Sequence, residues 1–325
     1  MITILSEGAV TAAAVWLLLF ALLRSGLAWR IAVDKPNQRS LHSGAVPRVG
    51  GLAVIGVAVI AMSIVARSVQ VITVITVGLM LLGAVDDRRG LAVRTRIAAQ
   101  LIAASIAAYT LLPAAPGWLL ALIVIAVMWS MNLYNFMDGA DGLAGGMTLF
   151  GFGALAIVAA TAGAYELAAA GACIAGAAAG FLLHNFPPAR VFLGDAGSVS
   201  LGFLAATLAI AGWKQQLWPI WFPVLVFSPF IVDATITLFR RGAAGKKLWE
   251  AHRDHLYQRM VTNRWGHART TAVWYGLMVL VGGSAIAAVK WPNRWQIGLL
   301  IGWAALYAVL YAVVSRLTAP EKNEA

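Results

Sequence analysis

The sequence predicts an all-α, polytopic integral membrane protein of about eleven transmembrane helices, with the N-terminus outside and the C-terminus cytoplasmic. Three observations carry this. Hydrophobic residues make up 61% of the 325 and charged residues only 11%, whereas soluble domains carry about 25% charge. Apolar runs near the ~20 residues that cross a bilayer recur from end to end. Basic residues punctuate those runs, as a positive-inside bias requires.

The apolar runs fall at about 7–28, 50–66, 69–85, 97–112, 117–134, 144–162, 165–183, 198–212, 217–239, 271–289 and 295–315. The division between the sixth and seventh rests on "TAGAYE". The opening "MITILSEGAVTAAAVWLLLFALLR" lacks the basic leader of a signal peptide. Glu7 precedes its apolar stretch and Arg24 follows it, which favours an outside N-terminus and a retained first helix. With that orientation, 20 of the 24 Lys and Arg residues lie in cytoplasmic segments; only Arg67, Lys214, Lys290 and Arg294 do not. Residues 1–325 read as a single transmembrane domain with cytoplasmic loops at about 29–49, 86–96, 135–143, 184–197 and 240–270.

The net charge of +11 is therefore spent on topology and on anionic partners, lipid headgroups or substrate, rather than on nucleic acid. The single Cys173 lies in an Ala/Gly-rich run; it excludes a disulfide framework and reads as a packing residue. All five histidines and seven of the eight aspartates fall on the cytoplasmic side, with Asp233 in the inner half of the ninth span. A transporter wants polar groups near the midplane. Chemistry at the inner surface wants this one-sided pattern.

Five polar segments carry the candidate residues. In "LLGAVDDRRGLAVRTR", Asp86 and Asp87 end the third span; adjacent carboxylates repel unless a cation or basic partner intervenes, and Arg88, Arg89, Arg94 and Arg96 follow. A solvated, lipid-anchoring helix end is the alternative. In "NLYNFMDGADGLAGG", Asn132, Asn135, Asp138 and Asp141 recur every third residue, which on a helix would set hard oxygen donors along one side. They suit Mg²⁺ or hydrogen bonds to a nucleotide; the alternative is a polar turn. In "HNFPPARVFLGDAGSVSLGF", Asp195 stands among glycines where a new helix N-terminus could receive an anion, or it caps that helix. Phe192 stacks on a base or packs at the interface. In "RRGAAGKKLWEAHRDHLYQRM", His252 and His255 would share a helix face beside Arg253 and Arg259 and hold metal or phosphate, unless the segment simply lies on anionic lipid. In "DKPNQRSLHSGAVPRVGG", Arg39, His42 and Arg48 supply phosphate-seeking groups. There is no Walker loop, GxGxxG, HExxH or nucleophile elbow.

The "DD" after the third span, "NLYNFMDGADGLAGG", "VFLGDAGS" and "HRDHLYQR", in this order across about residues 30–260, resemble the bacterial polyprenyl-phosphate N-acetylhexosamine-1-phosphate transferases, a superfamily that includes phospho-N-acetylmuramoyl-pentapeptide transferase. The chain looks closer to the transferases that initiate O-antigen, teichoic acid or other surface polymers, because the muramoyl enzyme has three consecutive histidines where this chain reads "HRDH". The resemblance implies a bacterial inner-membrane enzyme joining undecaprenyl phosphate to a UDP-N-acetylhexosamine at the cytoplasmic face and releasing UMP. It implies Mg²⁺ as cofactor, with Mn²⁺ as a substitute, membrane lipids as surroundings and a homodimer as a plausible assembly. By the same resemblance Asp195 is a metal ligand, and Asp86 and Asp87 serve metal and lipid phosphate. Asn135, Asp138 and Asp141 belong to the nucleotide site, Phe192 stacks on uracil, and His255 falls in the histidine motif. Arg48, Arg96, His252 and Arg253 are further phosphate-site candidates. A phosphate monoester with a second pKa of ~6 is already largely dianionic at pH 7, so positioning and metal support are expected of Asp86 and Asp87 more than proton abstraction. The sugar stays open between N-acetylglucosamine and 6-deoxy amino sugars. The rival expectation is a lipid or sugar transporter or flippase, with a catalytically inactive scaffold behind it.

Overall fold

The computed structural model describes residues 2–34, 36, 41, 44–247 and 252–318. Arg39 and His42 lie outside the described residues. The chain opens with α1 (Ile2–Arg24), a single turn α2 (Ala28–Ile31) and a two-residue antiparallel ladder of β1 (Val33–Asp34) with β2 (Val46–Pro47). Then follow α3 (Gly50–Val65), α4 (Gln70–Arg89), α5 (Val93–Leu111), α6 (Gly117–Phe136), α7 (Leu143–Thr161), α8 (Tyr165–Asn185) and α9 (Asp195–Lys214). The last third holds α10 (Trp221–Val226), α11 (Ser228–Ala243), α12 (Leu256–Met260), α13 (Gly266–Ala288) and α14 (Asn293–Leu317).

Every expected span falls on helix, and among the described residues eight helical runs are long and apolar enough to cross a membrane. The protein is a multi-pass helical membrane protein. The expected ninth span is not one helix: it breaks between α10 and α11, where Phe227 closes one helix and Pro229, with no N–H to give, enters the first turn of the next. The tenth starts at Gly266 rather than near 271, because the basic stretch before it is already helical.

In a bilayer, helices gain little from apolar burial against lipid, so close packing by small residues decides which ones meet. The most deeply buried helix is α9, rich in Ala, Gly and Ser, with α3, α4, α5, α6 and α7 around it. Its hydroxyl-bearing neighbours bond locally: Ser130 on α6 donates to the Gly202 carbonyl at 2.7 Å. The Ala/Gly run of α8 packs on α1, and Cys173 is buried there as a small packing residue. α14 lies outside this core with no buried residue. The C-terminal ends of α4 and α6, the N-terminus of α9, the β1–β2 ladder and α12 converge at one end of the bundle.

Candidate active site

The junction of α4 with α9 organises this end. The Asp195 N–H donates to Asp87 Oδ1 at 3.0 Å and the Ala196 N–H to Asp87 Oδ2 at 3.1 Å. Free N–H groups and the positive end of the dipole at a helix N-terminus attract a carboxylate, so Asp87, 2% exposed, caps α9 from another helix. Arg48 adds a cation 3.7 Å from its Oδ1 and pairs with Asp34 at 2.9 Å. The geometry needs glycine twice. Gly194 sits at φ +72°, and a Cβ there would lie 2.6 Å from Asp87 Oδ2; one on Gly83 would lie 2.5 Å from the Ala196 nitrogen. Asp195 therefore does not cap its own helix, and each Asp87 oxygen accepts one backbone N–H of α9.

Asp86, one residue earlier, points elsewhere. Its Oδ1 accepts the Leu91 N–H at 2.5 Å and its Oδ2 the Arg96 guanidinium at 3.2 Å. Arg96 also stands 3.5 Å from Asp195 Oδ2, while Asn135 donates to Asp195 Oδ1 at 2.8 Å. Arg96 thus stands between Asp86 and Asp195. Of the four arginines after the aspartate pair, Arg88, Arg89 and Arg94 are exposed and only Arg96 turns back to the carboxylates.

The third-residue spacing after α6 does not make one helical face, because α6 ends at Phe136. Asn132 bonds Gln100 on α5, Asn135 reaches Asp195, and Asp138 and Asp141 lie in the loop beyond. Asp138 accepts the Gly194 N–H; burial and then the charge of Asp195 push its carboxyl well above the usual range. Asp141 is a brace: its Oδ2 accepts the Ala189 N–H at 2.9 Å, its carbonyl accepts Thr271, and its N–H donates to His267 Nδ1 at 3.1 Å. Asn185 accepts the Gly142 N–H and donates to the Val191 carbonyl, tying this loop to the one before α9.

The histidine segment is capped, not helical throughout. His255 is the N-cap of α12, so His252 and His255 do not share a helix face; their rings nonetheless lie 4.9 Å apart. Asp233 on α11 accepts the Leu256 and Tyr257 N–H groups at 2.8 and 3.1 Å and lies 3.6 Å from His255 Nδ1. His255 is buried, stacked between Phe136 and Tyr257. Burial and the neighbouring His255 and Arg241 lower the His252 pKa to about 4, so His252 is neutral at pH 7 and can donate a hydrogen bond but not a charge. Asp254 pairs with the buried Arg241 and with Lys246. Arg253 is exposed and lines neither cavity described below.

Two cavities flank these groups. The first, 330 Å³, is polar: Asp34, Arg48, Asp138, Asp141, Phe192 and His267 contribute to it. The second, 440 Å³, has Asp86, Arg96 and His255 at one end and apolar side chains such as Leu79, Val93 and Ile97 along its wall. Asn135, Phe136, Asp195, His252 and Gln258 line both, so the two cavities share one wall. Tyr257, which donates to the Phe136 carbonyl at 2.9 Å, and Gln258 were not singled out from sequence. Only the Gln258 half of a capping box is legible there, because the cap position holds His255 rather than the Ser, Thr, Asp or Asn that marks a helix start.

Among the described residues no group of three or more His, Cys, Asp or Glu is set to hold a metal. Mg²⁺ asks for less: it commonly takes one or two carboxylates, water and substrate phosphates. Asp86 and Asp195, hard oxygen donors that flank the same Arg96 guanidinium, fit that donor set. Among the described residues, the cations beside Asp86, Asp87 and Asp195 are Arg48, which also pairs with Asp34, and Arg96.

Residues 69–213 match the profile of glycosyl transferase family 4. The chain is 28% identical over 311 residues to a probable undecaprenyl-phosphate N-acetylglucosaminyl 1-phosphate transferase of Bacillus subtilis (strain 168), covering 89% of this chain and 87% of the relative. It is 30% identical over 321 residues to the decaprenyl-phosphate N-acetylglucosaminephosphotransferase of Mycobacterium tuberculosis (strain CDC 1551 / Oshkosh), covering 83% and 79%. It is 26% identical over 292 residues to the phospho-N-acetylmuramoyl-pentapeptide-transferase of Halalkalibacterium halodurans, covering 80% and 88%. A two-cavity site on a multi-pass helical frame and these similarities converge: the chain belongs to the polyprenyl-phosphate N-acetylhexosamine-1-phosphate transferases of glycosyl transferase family 4 and is a glycosyl-1-phosphate transferase.

Proposed function

We propose that this transferase moves N-acetylglucosamine 1-phosphate from its UDP derivative to undecaprenyl phosphate, releases UMP, and so initiates a lipid-linked surface polysaccharide. The relatives' names supply the sugar and the lipid class. The observation that carries the reading is the shared wall: a polar cavity and a half-apolar cavity meet at Asn135, Asp195 and His252. A transporter has no use for two dissimilar cavities that meet at one carboxylate.

In this reading the polar cavity takes the nucleotide sugar, with Asp138 and Asp141 facing the uridine and Phe192 stacking on the base. Arg48 offers its guanidinium to the diphosphate. The second cavity takes the lipid, its phosphate beside Arg96 and His255 and its first isoprene units along Leu79, Val93 and Ile97. An oxygen of the lipid phosphate attacks the sugar-bearing β-phosphorus, the bond from that phosphorus to the bridging oxygen breaks, and UMP departs with the electron pair. Phosphoryl transfer asks chiefly for alignment and for neutralised charge. Asn135 holds Asp195 in place, and Asp87 fixes the helix end from which Asp195 projects. His252 and Gln258, neutral donors on the shared wall, orient phosphate oxygens. Mg²⁺, or Mn²⁺ in its place, held by Asp86 and Asp195, would offset charge on the diphosphate and on the leaving UMP.

The same reading has the chain crossing the bacterial inner membrane eleven times, with the site on the cytoplasmic side where nucleotide sugars are made. The test is direct. Purified protein with undecaprenyl phosphate, Mg²⁺ and UDP-N-acetylglucosamine labelled in the sugar should yield labelled organic-extractable lipid and UMP in equal amounts. EDTA should stop both and added Mg²⁺ restore them. Label remaining wholly in the aqueous phase, with every UDP-sugar of a panel, would overturn the reading.

A further inference from the structure

Away from the active site, α11, α13 and α14 enclose an apolar groove of 370 Å³. Leu277, Leu280, Trp303, Leu306, Leu310 and Val314 line it. It exists because α14 does not close onto the bundle: none of its residues is buried. A second cavity of 240 Å³ holds Arg240, Arg241, Lys246 and Arg259 with one carboxylate, Asp254.

The two cavities adjoin at three points. Thr237 in the basic cavity donates to Asp233 in the groove at 3.1 Å. Arg240 of the basic cavity donates to the Tyr311 hydroxyl of the groove at 2.8 Å, and Arg259 is followed directly by groove residue Met260. Asp254 is already committed to Arg241 and Lys246, and the Asp233 carboxylate to the α12 backbone. Among the described residues Arg240 and Arg259 have only neutral partners, Tyr311 for one and Ser315 for the other. An apolar slot with surplus positive charge at one end matches one kind of molecule, an acyl chain carrying an anionic head.

We propose that this is a site for an anionic glycerophospholipid, its acyl chain between α13 and α14 and its phosphate at Arg240 and Arg259. The site does not depend on the transferase assignment. It adjoins the active site at Asp233, which both lines the groove and caps α12 next to His255, and at Asp254, whose N–H donates to His252 Nδ1 at 3.3 Å. Basic pockets between transmembrane helices hold anionic headgroups, with each Lys or Arg contributing severalfold to binding. Losing two arginines should therefore cost roughly tenfold or more in preference over a zwitterionic lipid.

The test uses the full chain, reconstituted in equimolar phosphatidylglycerol and phosphatidylcholine, released in mild detergent and weighed by native mass spectrometry. The expected result is one retained phospholipid per chain, phosphatidylglycerol favoured about tenfold. The double substitution Arg240→Gln with Arg259→Gln should bring the two lipids near parity. Gly276→Phe should abolish retention of either, since a Cβ at Gly276 meets nothing within 4 Å and the ring projects into open groove. Leu280→Trp, at an exposed lining residue, is the second blocking variant should the first misfold. Equal retention of both lipids by the wild type, or an undiminished preference in the arginine variant, overturns the proposal. So does a wild-type dimer that Gly276→Phe dissociates, which would make the face a contact between copies, or retained polyprenyl phosphate in place of phospholipid.

Discussion

Replacing Asp87 by Asn separates the two aspartates that adjoin in sequence. Asp87 gives one carboxylate oxygen to each of two N–H groups at the start of α9, at 3.0 and 3.1 Å, from a side chain 2% exposed. Asn retains one acceptor and must turn an NH₂ toward the other N–H. A hydrogen bond to a charged group contributes about 1.5–3 kcal/mol, and a carboxylate at a partly buried helix N-terminus up to ~2 kcal/mol. Losing one bond and the charge should destabilise by about 2–4 kcal/mol. Thermal unfolding in detergent then shows a midpoint lower by about 4 °C or more, at ~2 °C per kcal/mol. In whatever activity survives, the Mg²⁺ concentration for half-maximal UMP release should equal that of the wild type. An Asp87→Asn enzyme with the wild-type midpoint and a sharply raised Mg²⁺ requirement would refute the capping role and return Asp87 to the metal site.

Asp195→Asn should do the opposite: it relieves repulsion with Asp86, so the midpoint holds or rises, while UMP release falls at least ~100-fold; wild-type turnover would remove Asp195 from the chemistry. Gly194→Ala combines a φ of +72° with a Cβ 2.6 Å from Asp87 Oδ2, and should cost about 1–3 kcal/mol in the same unfolding assay along with activity. His252 has its pKa lowered to about 4 by burial and by His255. Its contribution to stability is therefore present above its unfolded pKa of ~6.5 and is lost as pH falls from there toward 4. The wild-type midpoint should drop more steeply across that window than that of His252→Gln; parallel profiles would mean that His252 is not held neutral by the fold.

Much of the frame is written in the chain as apolar length punctuated by glycine, proline and charge. "TAGAYE" marks the break between α7 and α8, with Gly163 at φ +78° between them. The polar clusters were equally legible, because charge in so apolar a chain needs a reason. What neighbouring residues do was not. Asp86 and Asp87 are ~100° apart around a helix, so one meets Arg96 and the other the end of α9, and no local signal says which. Periodicity at Asn132, Asn135, Asp138 and Asp141 could not reveal that α6 stops at Phe136. Asp233 was visible as a lone acid in an apolar run; its service as the cap of α12 depends on a chain segment more than 20 residues away meeting it in space. Asp254, the departure from consecutive histidines, makes sense only once Arg241 is seen buried beside it.

Arg96 poses the remaining question of the site, since its guanidinium stands 3.2 Å from Asp86 and 3.5 Å from Asp195, where a divalent cation would also be drawn. Two cations cannot both occupy the gap between one pair of carboxylates without strong repulsion. Arg96 and a metal held there would therefore compete, and metal binding should turn Arg96 toward the lipid phosphate in the second cavity, which it also lines. Removing that competitor, as in Arg96→Gln, should tighten Mn²⁺ binding, measured by electron paramagnetic resonance without substrate, by roughly fivefold or more, equivalent to the ~1 kcal/mol of an exposed charge pair. The same variant should lose affinity for polyprenyl phosphate, so that metal binding improves while turnover falls. Unchanged or weaker Mn²⁺ binding in Arg96→Gln would mean that Arg96 supports the metal site rather than occupying it, and that Asp86 and Asp195 require a positive neighbour to stay together.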